Sequence, residues 1–160
     1  MKKLLIAIIS LVMGACAFAQ DGKSIYNKYS DMDGVEAVYI SPAMFRMIGK
    51  IPDINVGEDD VNIAPLIKSM KGFYVLTVKD PSAGNSLYND VNQYIKKGDF
   101  ELILEAKENG EATRIYTAGN NKRVTSFVLI SKEKDETSFI AFDGDMDREM
   151  LEDALAASAK

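Results

Sequence analysis

Apolar and polar positions alternate along this chain in two rhythms, and the rhythm changes near its middle. Leu87, Tyr88, Val91, Tyr94 and Ile95 recur at helical spacing, which predicts one long amphipathic helix from about Ser82 to Lys97. Lys96 and Lys97 suit the negative end of its dipole, and Gly98 offers a C-cap. Beyond Gly98 the period shortens to two. Phe100, Leu102, Leu104 and Ala106 alternate with Glu101, Glu105 and Lys107, the pattern of a strand with one wet face. Asn109-Gly110 then signals a tight hairpin, because both central positions need positive φ. A second strand over about 112–117 turns at Gly119-Asn120-Asn121. Val124 to Ser131 is apolar on both faces and reads as a central strand. After the charged turn 132–136, a fourth strand reaches Phe142. Gly144 is expected to turn the chain there, and Asp145 or Asp147 to cap a last helix whose Met150, Leu151, Ala154 and Leu155 face inward.

The first half is shorter-grained. A helix over Ser24–Tyr29 is expected to end at the turn Asp31-Met32-Asp33-Gly34, and Val35–Ile40 reads as a strand. Ser41-Pro42 opens a helix, since serine caps free N–H groups and proline at the first helical position sacrifices no bond. Met44, Met47 and Ile48 stripe that helix, and Gly49 closes it. Residues 51–60 read as an acidic loop. A short helix with Leu66, Ile67 and Met70 follows, stopped by Gly72, and Phe73–Lys79 is β-rich. The expected fold is α+β, with a mostly antiparallel sheet of about six strands. Two early strands join a C-terminal four-strand meander, with helices packed mainly on one face. Strand order does not follow from the pattern.

The first nineteen residues belong to neither rhythm. Lys2 and Lys3 precede an apolar run from Leu4 to Met13, and small residues crowd Gly14, Ala15, Cys16, Ala17 and Ala19. These are the parts of a secretory leader, and the run is about half the ~20 residues that span a bilayer. Two processing routes are open. Ala17-Phe18-Ala19 supplies an A-x-A site that would make Gln20 the new N-terminus. Alternatively Cys16 is lipidated, with Met13 a poor replacement for the usual leucine of a lipobox. Release fits these residues better. Residues 20–160 then form a single exported domain, periplasmic or in the cell envelope, touching membrane only if Cys16 carries lipid.

Composition narrows the chemistry. The chain has no histidine, and its one cysteine lies in the leader, so the expected mature domain can form no internal disulfide. Ser-His-Asp and Cys-His catalysis, zinc-thiolate sites and histidine metal triads are excluded for that domain. Losing Lys2 and Lys3 leaves 17 basic residues (19 less two) against 24 acidic ones, a net charge of −7. That balance argues against nonspecific nucleic-acid binding. No phosphate-cradling glycine loop occurs, and no cofactor is expected.

Carboxylates remain. Asp143, Asp145 and Asp147 resemble the start of a calcium loop, but Arg148 and Ala154 occupy the positions where the template needs Gly and Glu. Helix capping explains them better. A hydrolase would require at least two of Asp31, Asp33, Asp59, Asp60, Asp143, Asp145 and Asp147 to converge in a cleft. Ser131-Lys132-Glu133-Lys134 matches S-x-x-K without its companion motifs. Two features suit binding: Met44, Phe45, Met47 and Ile48 on one short helix, and Tyr74, Tyr88, Tyr94 and Tyr116 as a groove lining. Both are also explained by core packing.

Val38-Tyr39-Ile40-Ser41 leading into Met44-Phe45-Arg46-Met47 resembles the DUF4252 family, small exported proteins of Bacteroidetes-type bacteria. Gly98-Asp99-Phe100-Glu101 after a helix, Ile115-Tyr116 in the meander and the late strand reaching Gly144 agree. The resemblance runs from Ser24 to Leu155. It implies frequent lipidation, which strengthens the case for Cys16, and no catalytic residues to transfer. It also implies an envelope-stress or surface-signalling setting. The expected function is a noncatalytic envelope protein binding a protein or peptide through its sheet or an apolar helix edge. The alternatives are a carrier of a small apolar or lipid ligand, and a carboxylate hydrolase.

Overall fold

A computed structural model describes residues 21–48, 50, 55–56 and 61–158. The expected leader, with the candidate processing residues Cys16, Ala17, Ala19 and Gln20, lies outside the described residues, as do Gly49, Asp59 and Asp60. In chain order the elements are α1 (Gly22–Tyr29), β1 (Val35–Ile40), α2 (Pro42–Ile48), β2 (Asn55–Val56), β3 (Val61–Asn62), α3 (Ala64–Ser69) and β4 (Met70–Val78). They continue with α4 (Pro81–Lys97), β5 (Phe100–Glu108), β6 (Glu111–Gly119), β7 (Arg123–Lys132), β8 (Thr137–Asp147) and α5 (Arg148–Ser158). Six strands form one antiparallel sheet in the order β1-β4-β8-β7-β6-β5. The α+β class and the C-terminal meander are as the sequence predicts. β4 completes the order by pairing with the last strand, β8.

Local signals act where they stand. The Ser41 hydroxyl accepts from the Met44 amide at the start of α2. Asp80 does the same for α4, accepting from Ala83 N at 2.7 Å. Asn109 and Gly110 take φ of 51° and 88° between β5 and β6. Asp147 caps α5, accepting from the Met150 amide. Gly98, by contrast, is extended at φ −100°, and what it supplies is room: a Cβ there would lie 2.8 Å from the Phe100 ring.

The core has two parts, one on each face of the sheet. On the first face Tyr74, Leu76 and Val78 of β4, Val128 and Ile130 of β7, and Phe139 and Ala141 of β8 pack beneath Ile25 and Tyr29 of α1 and Leu87, Val91 and Tyr94 of α4. On the second face Val124, Phe127, Phe142 and Met146 pack with Leu66 of α3 and Leu151 of α5. The helices expected mainly on one face therefore divide between both. Val124–Ser131 carries the physical cause, because a strand apolar on both sides needs cover on both.

Several boundaries also differ. Residues 55–56, inside the expected loop, pair with 61–62 just past its end as a two-residue ladder, too short to show a period. Gly72 lies inside β4, and Gly144 lies inside β8, which runs on to Asp147. Phe45 is the buried residue of α2, while Met44 and Met47 point outward, Met47 being 66% exposed. On β5 the register shifts between Leu102 and Leu104, which face Tyr116 and Ile115 respectively. The shift puts Leu102 and Leu104 on opposite faces, so β5 has no single wet face.

Candidate functional site

Residues paired directly across strands share a face of the sheet, so the register assigns each side chain to a row. On the second face one row reads Ile40, Phe73, Phe142, Phe127 and Thr117. Its rings stack, Phe127 on Phe142 at 4.4 Å between centroids, and this end of the face packs with α3 and α5. The next row is Val38, Val75, Ile140, Leu129, Ile115 and Leu104, one aliphatic side chain from each of the six strands. Val38 and Leu104 at its ends are 51% and 46% exposed, and the four between are half-buried. Strand spacing makes this band roughly 24 Å long. A third row, Thr77, Ser138, Ser131 and Thr113, presents hydroxyls, two of them bonded at 2.8 Å between Thr113 and Ser131. The second face thus steps from covered aromatics to an open aliphatic band to a hydroxyl margin.

Of the band residues the sequence names Val38 and Ile115 only through the family pattern and Leu104 only through the alternation of its strand, and it singles out none of Val75, Ile140 and Leu129. Each looks like an ordinary strand position, and only the register lines them up. The one usable signal was the two-sided apolar character of Val124–Ser131.

The residues that the sequence did single out have other duties. Asp31 and Asp33 sit in the turn before Val35, which pairs with Val78 and, through it, Thr137. Asp143 is at the other end of β8, six residues from Thr137 and so about 20 Å away. The two carboxylate groups do not converge. Asp143 accepts from the Ser126 hydroxyl at 2.8 Å, Asp145 pairs with Arg123 at 2.8 Å, and Asp147 caps α5. Among the described residues no cluster of three His, Cys, Asp or Glu could hold a metal ion. Ser131 is bonded to Thr113, and Lys134 lies in the β7–β8 turn, so the S-x-x-K residues serve a hairpin. Tyr74 and Tyr94 are buried in the first core, Tyr88 bonds Arg114, and Tyr39 stacks on Tyr74 at 5.4 Å. Tyr88 and Tyr116 are partly buried against that same core, so all four candidate tyrosines serve its packing. Concavities near the β7–β8 turn are lined by groups such as Lys79, Asp80, Asn85, Lys132 and Glu133.

Two carboxylates bracket α1 with opposite electrostatics. Burial raises the Asp143 pKa, outweighing the Ser126 hydrogen bond that lowers it, and the Asp21 charge raises it further. At the other end burial also raises Asp90, but bonds from Lys28 at 2.5 Å and Tyr29 at 2.6 Å outweigh it, and its pKa falls below the ordinary value. A raised carboxyl contributes stability below its unfolded pKa of about 4 and loses it as pH rises through the folded value. A depressed one contributes above about 4 and loses it as pH falls. Asp143→Asn should therefore gain in melting temperature over wild type as pH climbs from 4 to 7, whereas Asp90→Asn should lose. Parallel pH curves for wild type and Asp143→Asn would refute the assignment.

The fold and its surface define an α+β sheet domain with one open aliphatic face. The chain belongs to the DUF4252 family, a domain of unknown function whose pattern matches residues 29–154. Neither a curated protein nor a solved structure matches it.

Proposed function

We propose that this protein is a noncatalytic, exported envelope protein that binds a protein or peptide partner on the open second face of its sheet. One observation carries the reading: a continuous row of six aliphatic side chains crosses every strand of the six-stranded sheet and is left partly in water. An apolar band flanked by hydroxyls suits an amphipathic partner, whose apolar stripe displaces water while its polar edge bonds the margin. The leader-like first nineteen residues and the absence of histidine agree with binding rather than catalysis, as does the separation, among the described residues, of Asp31 and Asp33 from Asp143. A carrier of a small apolar ligand would need an apolar concavity, and those beside the β7–β8 turn are lined largely by charged groups.

A photo-reactive amino acid at Leu129, compared with one at exposed Asn89 on the opposite side, tests the proposal in cells. Leu129 should yield one discrete protein adduct in the envelope fraction and Asn89 none. Leu129→Glu should weaken capture at least about tenfold, since it places a charge in an interface that excludes water. Equal adducts from both positions, or none from Leu129, would overturn the reading.

A further inference from the structure

The β5 edge is bare in a way the rest of the sheet is not. Residues 101–108 are exposed without exception, including Leu102, Ile103 and Leu104 at 46–49%, although the strand belongs to the sheet. α4 lies over β4, β8 and β7, and α1 over β4 and β8. A terminal strand leaves a line of backbone N–H and C=O groups without partners on its outer side. The irregularity between Leu102 and Leu104 disrupts that line only at its start. From Leu104 to Glu108 the ladder with β6 runs unbroken, Leu104 facing Ile115 and Glu108 facing Glu111.

We infer that Leu104–Glu108 pairs antiparallel with the same segment of a second copy, about a two-fold axis through Ala106, joining two sheets edge to edge. Charge selects that axis. A two-fold through Glu105 would set Glu105 against itself, and one through Lys107 would set Lys107 against itself. Centring on Ala106 places each Glu105 opposite Lys107 of the other copy, twice over. Within one chain Lys107 Nζ already reaches Glu105 Oε1 at 2.7 Å, and Arg114 Nε lies 2.5 Å from Glu105 Oε2. Pairing therefore extends an alternating row in which Arg114, Glu105 and the second copy's Lys107 follow one another across three strands. Opposite charges directly across an antiparallel pair stabilise it, and like charges destabilise it. Charged side chains normally keep an edge from joining neutral strands, and here the same charges match only their own copy. An axis normal to the sheet would put both aliphatic bands on the same side of the dimer. The inference does not depend on what those bands bind.

Sedimentation of the purified protein tests it. A reversible monomer–dimer equilibrium is expected at concentrations up to about 100 µM. Lys107→Glu alone and Glu105→Lys alone should each weaken dimerisation at least about tenfold, by setting like charges opposite each other. Mixing the two variants should restore a dimer of one copy of each, because every facing pair is then again opposite in sign. Melting temperatures close to wild type would show that both variants fold. A wild type monomeric throughout that range would overturn the inference. So would variants that dimerise like wild type, or a mixture that stays monomeric.

Discussion

Phe139→Ala is expected to lower stability by about 3–5 kcal/mol, the usual cost of deleting a fully enclosed ring. Phe139 is wholly buried on β8, with Leu76 of β4 directly opposite on one side and Ile130 of β7 on the other. All three belong to the first core, beneath α1 and α4. Because β8 is hydrogen-bonded on both sides, the neighbouring strands cannot close over the void without breaking their ladders. In a domain of this size the loss corresponds to roughly 10–15 °C in melting temperature and a large share of total stability. Urea and thermal unfolding measure it directly. A loss below about 1 kcal/mol would mean that α1 and α4 do not enclose the ring as described.

Gly144→Val should cost about 3 kcal/mol or more, for a different reason. A Cβ at Gly144 would stand 2.7 Å from the Ser69 carbonyl oxygen and 3.2 Å from Met70 Cα. Both are backbone atoms, so no side chain can swing aside, and either α3 or the start of β4 must move. Gly144 pairs with Met70 where β4 joins β8. Gly144→Ala already adds the clashing Cβ and should show much of the loss. Valine's two further methyl groups, beside the cluster of Leu66, Phe142 and Met146, should then lower stability more. Hydrogen exchange at Met70 and Phe73 should quicken in both variants. An alanine variant as stable as wild type would show that Ser69 and Met70 do not crowd Gly144 this closely. Neither substitution touches the exposed part of the aliphatic band, so a refolded Gly144→Ala protein that still captures partner would separate binding from stability.

The sequence was readable where a few neighbouring residues decide the outcome. Ser41-Pro42 starts α2, and Asn109-Gly110 turns β5 into β6. α4 spans Pro81–Lys97 because its apolar stripe, first-turn proline and terminal lysines all agree. It was less readable where residues far apart meet. Gly144 looked like a turn, yet it is a strand residue whose missing side chain admits the backbone of Ser69. The Asp143, Asp145 and Asp147 run looked like one motif, but a hydroxyl, an arginine and a helix end each take one carboxylate. For the candidate site, periodicity marked Leu129 and Ile140 as strand residues without indicating which side would be left open.

By itself, then, the sequence determined the element types, the meander, the missing histidine and the leader-like first nineteen residues, because these depend on local pattern or on composition. Only the tertiary structure decided that β4 pairs with β8, that helices occupy both faces, and that they leave one row only partly covered. Those outcomes depend on register between strands separated by tens of residues. A shift of one residue would turn Val75, Ile140 and Leu129 toward the opposite face, and nothing within any single strand forbids it.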